Sequence, residues 1–235
     1  MTLFSLPPHH PRIRRVHSFE ELVATRFSDG VNALCWQREV PGDFASVIAA
    51  LGPGEGVRVL DENDLQGLPV PPPARLAIAA LLADLRRLRE LDLDPILNCI
   101  HAYPQDDADA LVATDVMSFH VDSAPVEADT WLCTYHGEPS DGLDNEEAIR
   151  KIDHPATRAA LLNEFGGEDD ENFAEYLAEC CYDLHFAPLP GAMPYSFGLM
   201  NLWRIATAHP GCPVPPCIHR APETIPGEPR LLLIS

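Results

Sequence analysis

The chain has 235 residues, 46% of them hydrophobic and 22% charged, a balance that excludes a disordered chain and fits an ordinary folded protein. Its formal net charge of −20 is uneven, with 10 basic and 13 acidic residues over 1–100 but 6 and 23 over 101–235, so nucleic acid and anionic lipid are excluded as partners by repulsion. Apolar runs such as 76–82 fall far short of the roughly 20 residues that a membrane-spanning helix needs. The basic run Arg12, Arg14 and Arg15 follows the N-terminal apolar residues, reversing the order of a secretory signal, and a cytoplasmic protein is expected. Seven cysteines, including the neighbours Cys180 and Cys181, are then read as reduced thiols with no disulfide.

In chain order, Ser18 and Glu21 have capping-box spacing and Phe19, Leu22 and Val23 supply an apolar face, which predicts a short helix after residue 18. Residues 31–38 read as β. A second helix is predicted over 42–51, stopped by Gly52-Pro53-Gly54-Glu55-Gly56, a turn cluster lacking the Lys-Ser/Thr of a phosphate loop. Pro69, Pro71, Pro72 and Pro73 lead into the clearest helix, 74–91, whose Ile78, Leu81, Leu82, Leu85 and Leu88 form one stripe opposite Arg86, Arg87, Arg89 and Glu90. That helix should lie across a sheet. From residue 96 the pattern changes to short β-like runs at 96–103, 131–136, 196–205, 217–220 and 230–234, broken by Pro, Gly and Asp, as in a sandwich or barrel. Between them, 137–183 reads as an acidic insertion, helical around 149–165 and 173–181 and suited to covering one mouth of a barrel. The expected organisation is one catalytic domain over 1–235, with a mixed helical supporting segment over 1–95 and a mainly β core over 96–235.

Ser118-Phe119-His120-Val121-Asp122-Ser123 sets an imidazole and a carboxylate two apart, on one side of an extended chain, where both can bind one ion. On its own such a pair is more often a surface hydrogen-bonded pair. A third donor is offered by His219 in the run Cys217-Ile218-His219-Arg220. Two histidines and a carboxylate with open positions opposite suit a non-haem Fe(II) site. Arg230 opens the apolar run Leu231-Leu232-Leu233-Ile234, and a guanidinium placed inside such a core needs an anionic partner, for which a dicarboxylate is suited.

These residues, His120-Val121-Asp122, a distal His219 and Arg230 before a terminal strand, resemble the Fe(II)/2-oxoglutarate-dependent oxygenases. With residues 31–38, Thr134-Tyr135-His136-Gly137 and His219-Arg220-Ala221-Pro222 they also look like an uncharacterised bacterial domain-of-unknown-function family. The resemblance implies a double-stranded β-helix, or jelly roll, supported by N-terminal helices. It implies Fe(II) on His120, Asp122 and His219, with Arg230 on the distal carboxylate of 2-oxoglutarate and O2 as the second cosubstrate. The substrate, hydroxylated or desaturated, would be a small molecule, an amino acid or a peptide, cationic if the acidic insertion contacts it. Superfamily members often carry Ser or Thr two residues after the arginine, where this chain has Leu232, so a second contact to the carboxylate is either missing or supplied elsewhere, with Tyr135 the candidate.

A competing reading is a zinc-binding or other metal-binding protein on the same scaffold without turnover. Cys212, Cys217 and His219, joined by His209, have the donor types for tetrahedral zinc, although no Cys-x-x-Cys pair is present. His101, His136, His185 and His209 have no ligand spacing and read as structural or surface residues.

Overall fold

The computed structural model describes residues 10–106 and 110–235. The N-terminal part runs β1 (Ile13–Val16), α1 (Phe19–Ala24), β2 (Ala33–Trp36), α2 (Phe44–Leu51), β3 (Val57–Leu60), α3 (Glu62–Gln66), α4 (Pro72–Arg89) and β4 (Ile96–Ile100). The remainder runs β5 (Asp129–His136), β6 (Asp141–Leu143), β7 (Ala148–Arg150), α5 (Pro155–Phe165), α6 (Glu171–Glu179), β8 (Phe186–Pro188), β9 (Tyr195–Ser196), β10 (Leu202–Ala206), β11 (Ile218–Arg220) and β12 (Arg230–Ile234). The architecture is mixed, with a seven-stranded sheet in the order β1-β2-β10-β5-β12-β4-β3 and a three-stranded sheet β11-β6-β9. No helix among the described residues is long and apolar enough to cross a membrane.

The predicted helices form where capping chemistry starts them. Ser18 accepts from the Glu21 N–H at α1, and Asp43 caps α2 by accepting from the Ser46 N–H. Pro72 sits at the first position of α4, where its missing N–H costs nothing, and Arg86, Arg87 and Arg89 occupy the last turn, where they complement the helix dipole. The α4 stripe, Ala74, Ala77, Ile78, Leu81, Leu82, Leu85 and Leu88, is buried against the large sheet together with Trp131, Cys133, Tyr135, Leu231 and Leu233. Leu85 and Leu88 are at most 2% exposed, so truncating either to Ala should cost about 2–5 kcal/mol.

Strand alternation divides the large sheet into two faces. Trp131, Cys133 and Tyr135 of β5 face the helices, and Leu231 and Leu233 of β12 join them. Leu132 and Leu232 belong to a second core with Cys35, Trp203, Tyr195, Phe197 and Cys217, which fills the space towards the small sheet. Gly142 of β6 makes that filling possible, because a Cβ there would lie 2.3 Å from the Tyr195 ring.

Two expected boundaries change. Residue 95 does not divide a helical support from a β core, since β1, β2 and β3 are strands of the same sheet as β4, β5, β10 and β12. Of β1, β2 and β3, only β2 falls in a run read as β; β1 and β3 are four-residue strands, too short for alternation to stand out in sequence. The acidic insertion is likewise not wholly added, because β6 lies inside 137–183 and is the middle strand of the small sheet. Its helices α5 and α6 carry a small core of their own around Leu161, Phe173 and Leu177. All seven cysteines are free thiols.

Candidate metal centre

The segment preceding the first predicted ligand is folded onto itself. The Asp106 carboxylate accepts from the Thr114 N–H and hydroxyl and the Asp115 N–H, and Asp115 accepts from the Met117 and Ser118 N–H groups. This delivers 118–122 as an extended strip beside β11. His120 and His219 exchange both backbone hydrogen bonds at 2.9 Å, so they face each other directly and their side chains share a face. Phe119 and Val121 point the other way into an apolar cluster with Leu143 and Ile218, which fixes the register.

His120, Asp122 and His219 therefore converge, although 97 residues separate the last two in sequence. One ligand atom from each lies within 4.8 Å of the others. His120 Nε2 is 3.7 Å from Asp122 Oδ1, and His219 Nε2 is 3.6 Å from Asp122 Oδ2. Donors about 2.1 Å from one ion at near-octahedral or tetrahedral angles would stand about 3.0–3.4 Å apart, so the three side chains would draw together on binding. His120 Nδ1 donates to the Ser118 carbonyl at 2.8 Å and His219 Nδ1 to the Cys217 carbonyl at 3.3 Å. A carbonyl can only accept, so each ring keeps its Nε2 lone pair for a cation. The Thr130 hydroxyl donates to Asp122 Oδ2 and orients that carboxylate.

The protonation states suit a cation. Burial, assisted by the neighbouring His219, pushes His120 down to about 4, beyond what the Ser118 carbonyl and Asp122 restore. Burial raises Asp122, but His219, the Thr130 hydroxyl and His120 outweigh it and hold the carboxyl below its usual range. Neutral imidazole beside an ionised carboxylate is the form that binds metal. The Asp122 side chain is 32% exposed against 7% for His219, so the site opens on the Asp122 side.

Arg230 lies on the face of β12 that looks towards the small sheet and is 4% exposed. Its Nη1 donates to the Tyr103 hydroxyl at 2.7 Å, and its Nη2 to the Thr134 and Ser140 hydroxyls at 2.8 and 2.7 Å. Its Nε has no acceptor among the described residues. Burial lowers the Arg230 pKa, and Tyr103 and Asp141 only partly oppose this, leaving a buried cation short of negative charge. Gly137, at φ +79°, closes the turn after β5 against this cradle, where a Cβ would lie 3.0 Å from both the Arg230 Cα and the Pro229 carbonyl oxygen.

The expected contact from Tyr135 does not hold. Tyr135 points from the opposite face of β5, stacks on Phe44 and donates to Asp84 at 2.6 Å. Thr134, its neighbour, faces Arg230 instead. The hydroxyls that meet Arg230 are thus Tyr103, Thr134 and Ser140, contributed by three separate segments. Only Thr134 had a legible signal, since Thr130 and Thr134 share the inward parity of β5. The zinc alternative also does not gather. Among the described residues the one group of three or more potential metal donors is His120, Asp122 and His219. Cys212 donates to the Val214 carbonyl, His209 is bound to the Pro210 carbonyl, and burial pushes the Cys217 thiol up to about 12.

A third histidine completes the row. His185, 5% exposed, pairs across from His120 on the side away from His219. The ring centroids are 5.6 Å apart for His185 and His120, and 4.6 Å for His120 and His219. His185 Nδ1 lies 3.1 Å from the Ser118 hydroxyl, which also accepts from Lys151 Nζ at 2.7 Å. Comparison of the chain with protein-family models, with curated proteins and with solved structures finds no significant match, so its functional reading rests on these residues.

Proposed function

We propose that this chain is an Fe(II)/2-oxoglutarate-dependent oxygenase acting on a small molecule, an amino acid or a peptide. The observation that carries the reading is the convergence of His120, Asp122 and His219 with both Nε2 lone pairs free, together with a buried Arg230 that makes no ion pair among the described residues. The donor set suits Fe(II), since two imidazoles and one carboxylate leave positions open for a bidentate oxo-acid and O2.

Strand order supports a double-stranded β-helix. Of the eight segments β4, 119–122, β5, β6, β9, β10, β11 and β12, those in the large sheet pair as β4-β12-β5-β10 and the others as 119–122, β11, β6 and β9. Successive segments thus alternate between the two sheets except at the β6 to β9 step, as the winding of a jelly roll requires.

Iron with 2-oxoglutarate and O2, when bound, would supply the oxidising chemistry that no side chain can provide. The chain's own groups hold and orient. Asp122 keeps its rotamer through Thr130, and the two ligand histidines keep their tautomers through backbone carbonyls. Arg230 would pair with the distal carboxylate while Tyr103, Thr134 and Ser140 fix the guanidinium plane. Phe197, Trp203 and Leu232, each at most 6% exposed, exclude water from the space between the sheets. A cleft of about 430 Å³ lined by Asp106, Asp115, Ser118, Lys151 and Glu223 opens beside the ligand strip. Three carboxylates against one lysine there favour a cationic substrate.

The test is anaerobic addition of Fe(II) and 2-oxoglutarate, following the metal-to-ligand charge-transfer absorption in the unaltered protein, in His120→Ala and in Arg230→Met. The band should appear only in the unaltered protein, and admission of O2 should then yield succinate. Absence of the band together with absence of 2-oxoglutarate binding would refute the proposal. Metal binding without either would favour a metal-binding protein on this scaffold.

A further inference from the structure

The row His185, His120 and His219 spans three adjacent chain segments, yet the chain sets the rings in opposite ways. His120 and His219 each give Nδ1–H to a backbone carbonyl, which leaves Nε2 as a lone pair. His185 instead meets the Ser118 hydroxyl, one of whose two acceptor positions is already taken. Lys151, the one lysine in the chain, donates to Ser118 Oγ at 2.7 Å and to the Ala113 carbonyl at 3.0 Å. An ammonium can only donate, so it takes an acceptor position on Ser118 Oγ and leaves the hydroxyl proton to be given elsewhere. The acceptor that faces it among the described residues is His185 Nδ1, at 3.1 Å. A ring that accepts at Nδ1 carries its proton on Nε2. His185 Nε2 has no partner among the described residues, while the residue as a whole is 5% exposed.

We propose that His185 donates a hydrogen bond from Nε2–H to an anionic ligand atom held at the metal on the His120 side, with Lys151 and Ser118 as positioning residues that fix its tautomer. The inference rests on the metal reading above and adds to it a donor outside the ligand set. The same tautomer denies His185 a lone pair for the metal. The row therefore consists of two ligands and one donor rather than three ligands.

The test uses the full chain loaded with Co(II), whose visible absorption reports coordination, and azide as the anionic probe. His185→Phe should bind Co(II) within about threefold of the unaltered protein while its azide affinity falls about tenfold or more, the loss of one charge-assisted hydrogen bond. His185→Gln keeps an amide N–H and should recover part of the azide affinity, which separates donation from mere packing. Lys151→Met frees the ring to adopt the other tautomer and should weaken azide without loss of Co(II). Unchanged azide affinity in His185→Phe overturns the proposal, as does an unaltered protein that binds Co(II) but no azide. A Co(II) affinity in His185→Phe that drops as far as in His120→Ala makes His185 a ligand and overturns it too. Failure of the unaltered protein to bind Co(II) would instead refute the metal reading, and this inference with it.

Discussion

Asp84→Ala should be among the most damaging single substitutions outside the metal centre. Asp84 lies inside the apolar stripe of α4 with its side chain 1% exposed. It accepts from both Nη atoms of Arg38, from Arg87 Nη1 at 2.7 Å and from the Tyr135 hydroxyl at 2.6 Å. Without it, Arg38, whose side chain is 10% exposed, keeps the Met200 carbonyl on Nε but has no counter-charge, and Tyr135 loses its acceptor. The Arg87 side chain is 41% exposed and rehydrates, so it adds little. Stranding one buried partner costs about 3–5 kcal/mol, a large fraction of a typical total of about 5–15 kcal/mol. At roughly 2–4 °C per kcal/mol for a chain of this size, the melting temperature should fall by roughly 6–20 °C. Urea titration and calorimetry measure both, and the double variant Arg38→Met/Asp84→Leu should recover most of the loss. A loss below about 1 kcal/mol would show that the charges stay hydrated and would refute the argument. The sign with pH follows from linkage. Burial raises the Asp84 pKa but Arg38, Tyr135 and Arg87 together lower it further. Its stabilisation is thus complete above the unfolded value of about 3.9 and is lost as pH falls below that, a segment of the acid limb that Asp84→Ala should lack.

Further outcomes separate the two faces of β5. Tyr135→Phe should cost about 1–2 kcal/mol through the Asp84 hydrogen bond yet leave 2-oxoglutarate affinity unchanged by calorimetry, whereas Arg230→Met should abolish that binding and retain the metal. A large effect of Tyr135→Phe on 2-oxoglutarate would contradict the placement of its side chain. Co(II) at about 100 times its dissociation constant should stabilise the chain by about 2.7 kcal/mol, and His219→Ala should melt at the same temperature with and without the metal. In the metal-free protein, His120 and His185 are both pushed down to about 4, chiefly by burial. An unfolded histidine titrates near about 6.5, so their contribution is complete above that value and declines as pH falls towards about 4. Urea midpoints that stay flat across this window would show that neither ring is buried in solution.

Helices α1, α2 and α4 were legible because their signals are local, whereas the five-residue α3 went unread. Ser18, Asp43 and Pro72 mark starts, and the α4 stripe repeats often enough to register. Short strands carry little such information, which is why β1, β3 and β6 went unread. The closeness of His120 and Asp122 was readable for a related reason, since they lie two apart on an extended strip and their alternation is a property of the backbone. His185 was not readable, because its approach to His120 depends on Phe186 N–H reaching the Phe119 carbonyl and Lys151 N–H reaching the His185 carbonyl. Both are pairings between segments far apart in the chain.

Arg230 and Tyr135 mark the division most sharply. From composition and order of residues alone it follows that an arginine opens an apolar terminal strand and must find polar company when buried. Which hydroxyls it finds depends on sheet register: the bulge between Leu231 and Leu232 and the pairing of β12 with β5 turn Thr134 inward and Tyr135 towards α4. A shift of one residue would have exchanged them, because strand side chains alternate with a period of two. Amino-acid types thus specify which chemistry is available, while the long-range pairing of strands specifies which of those groups meet.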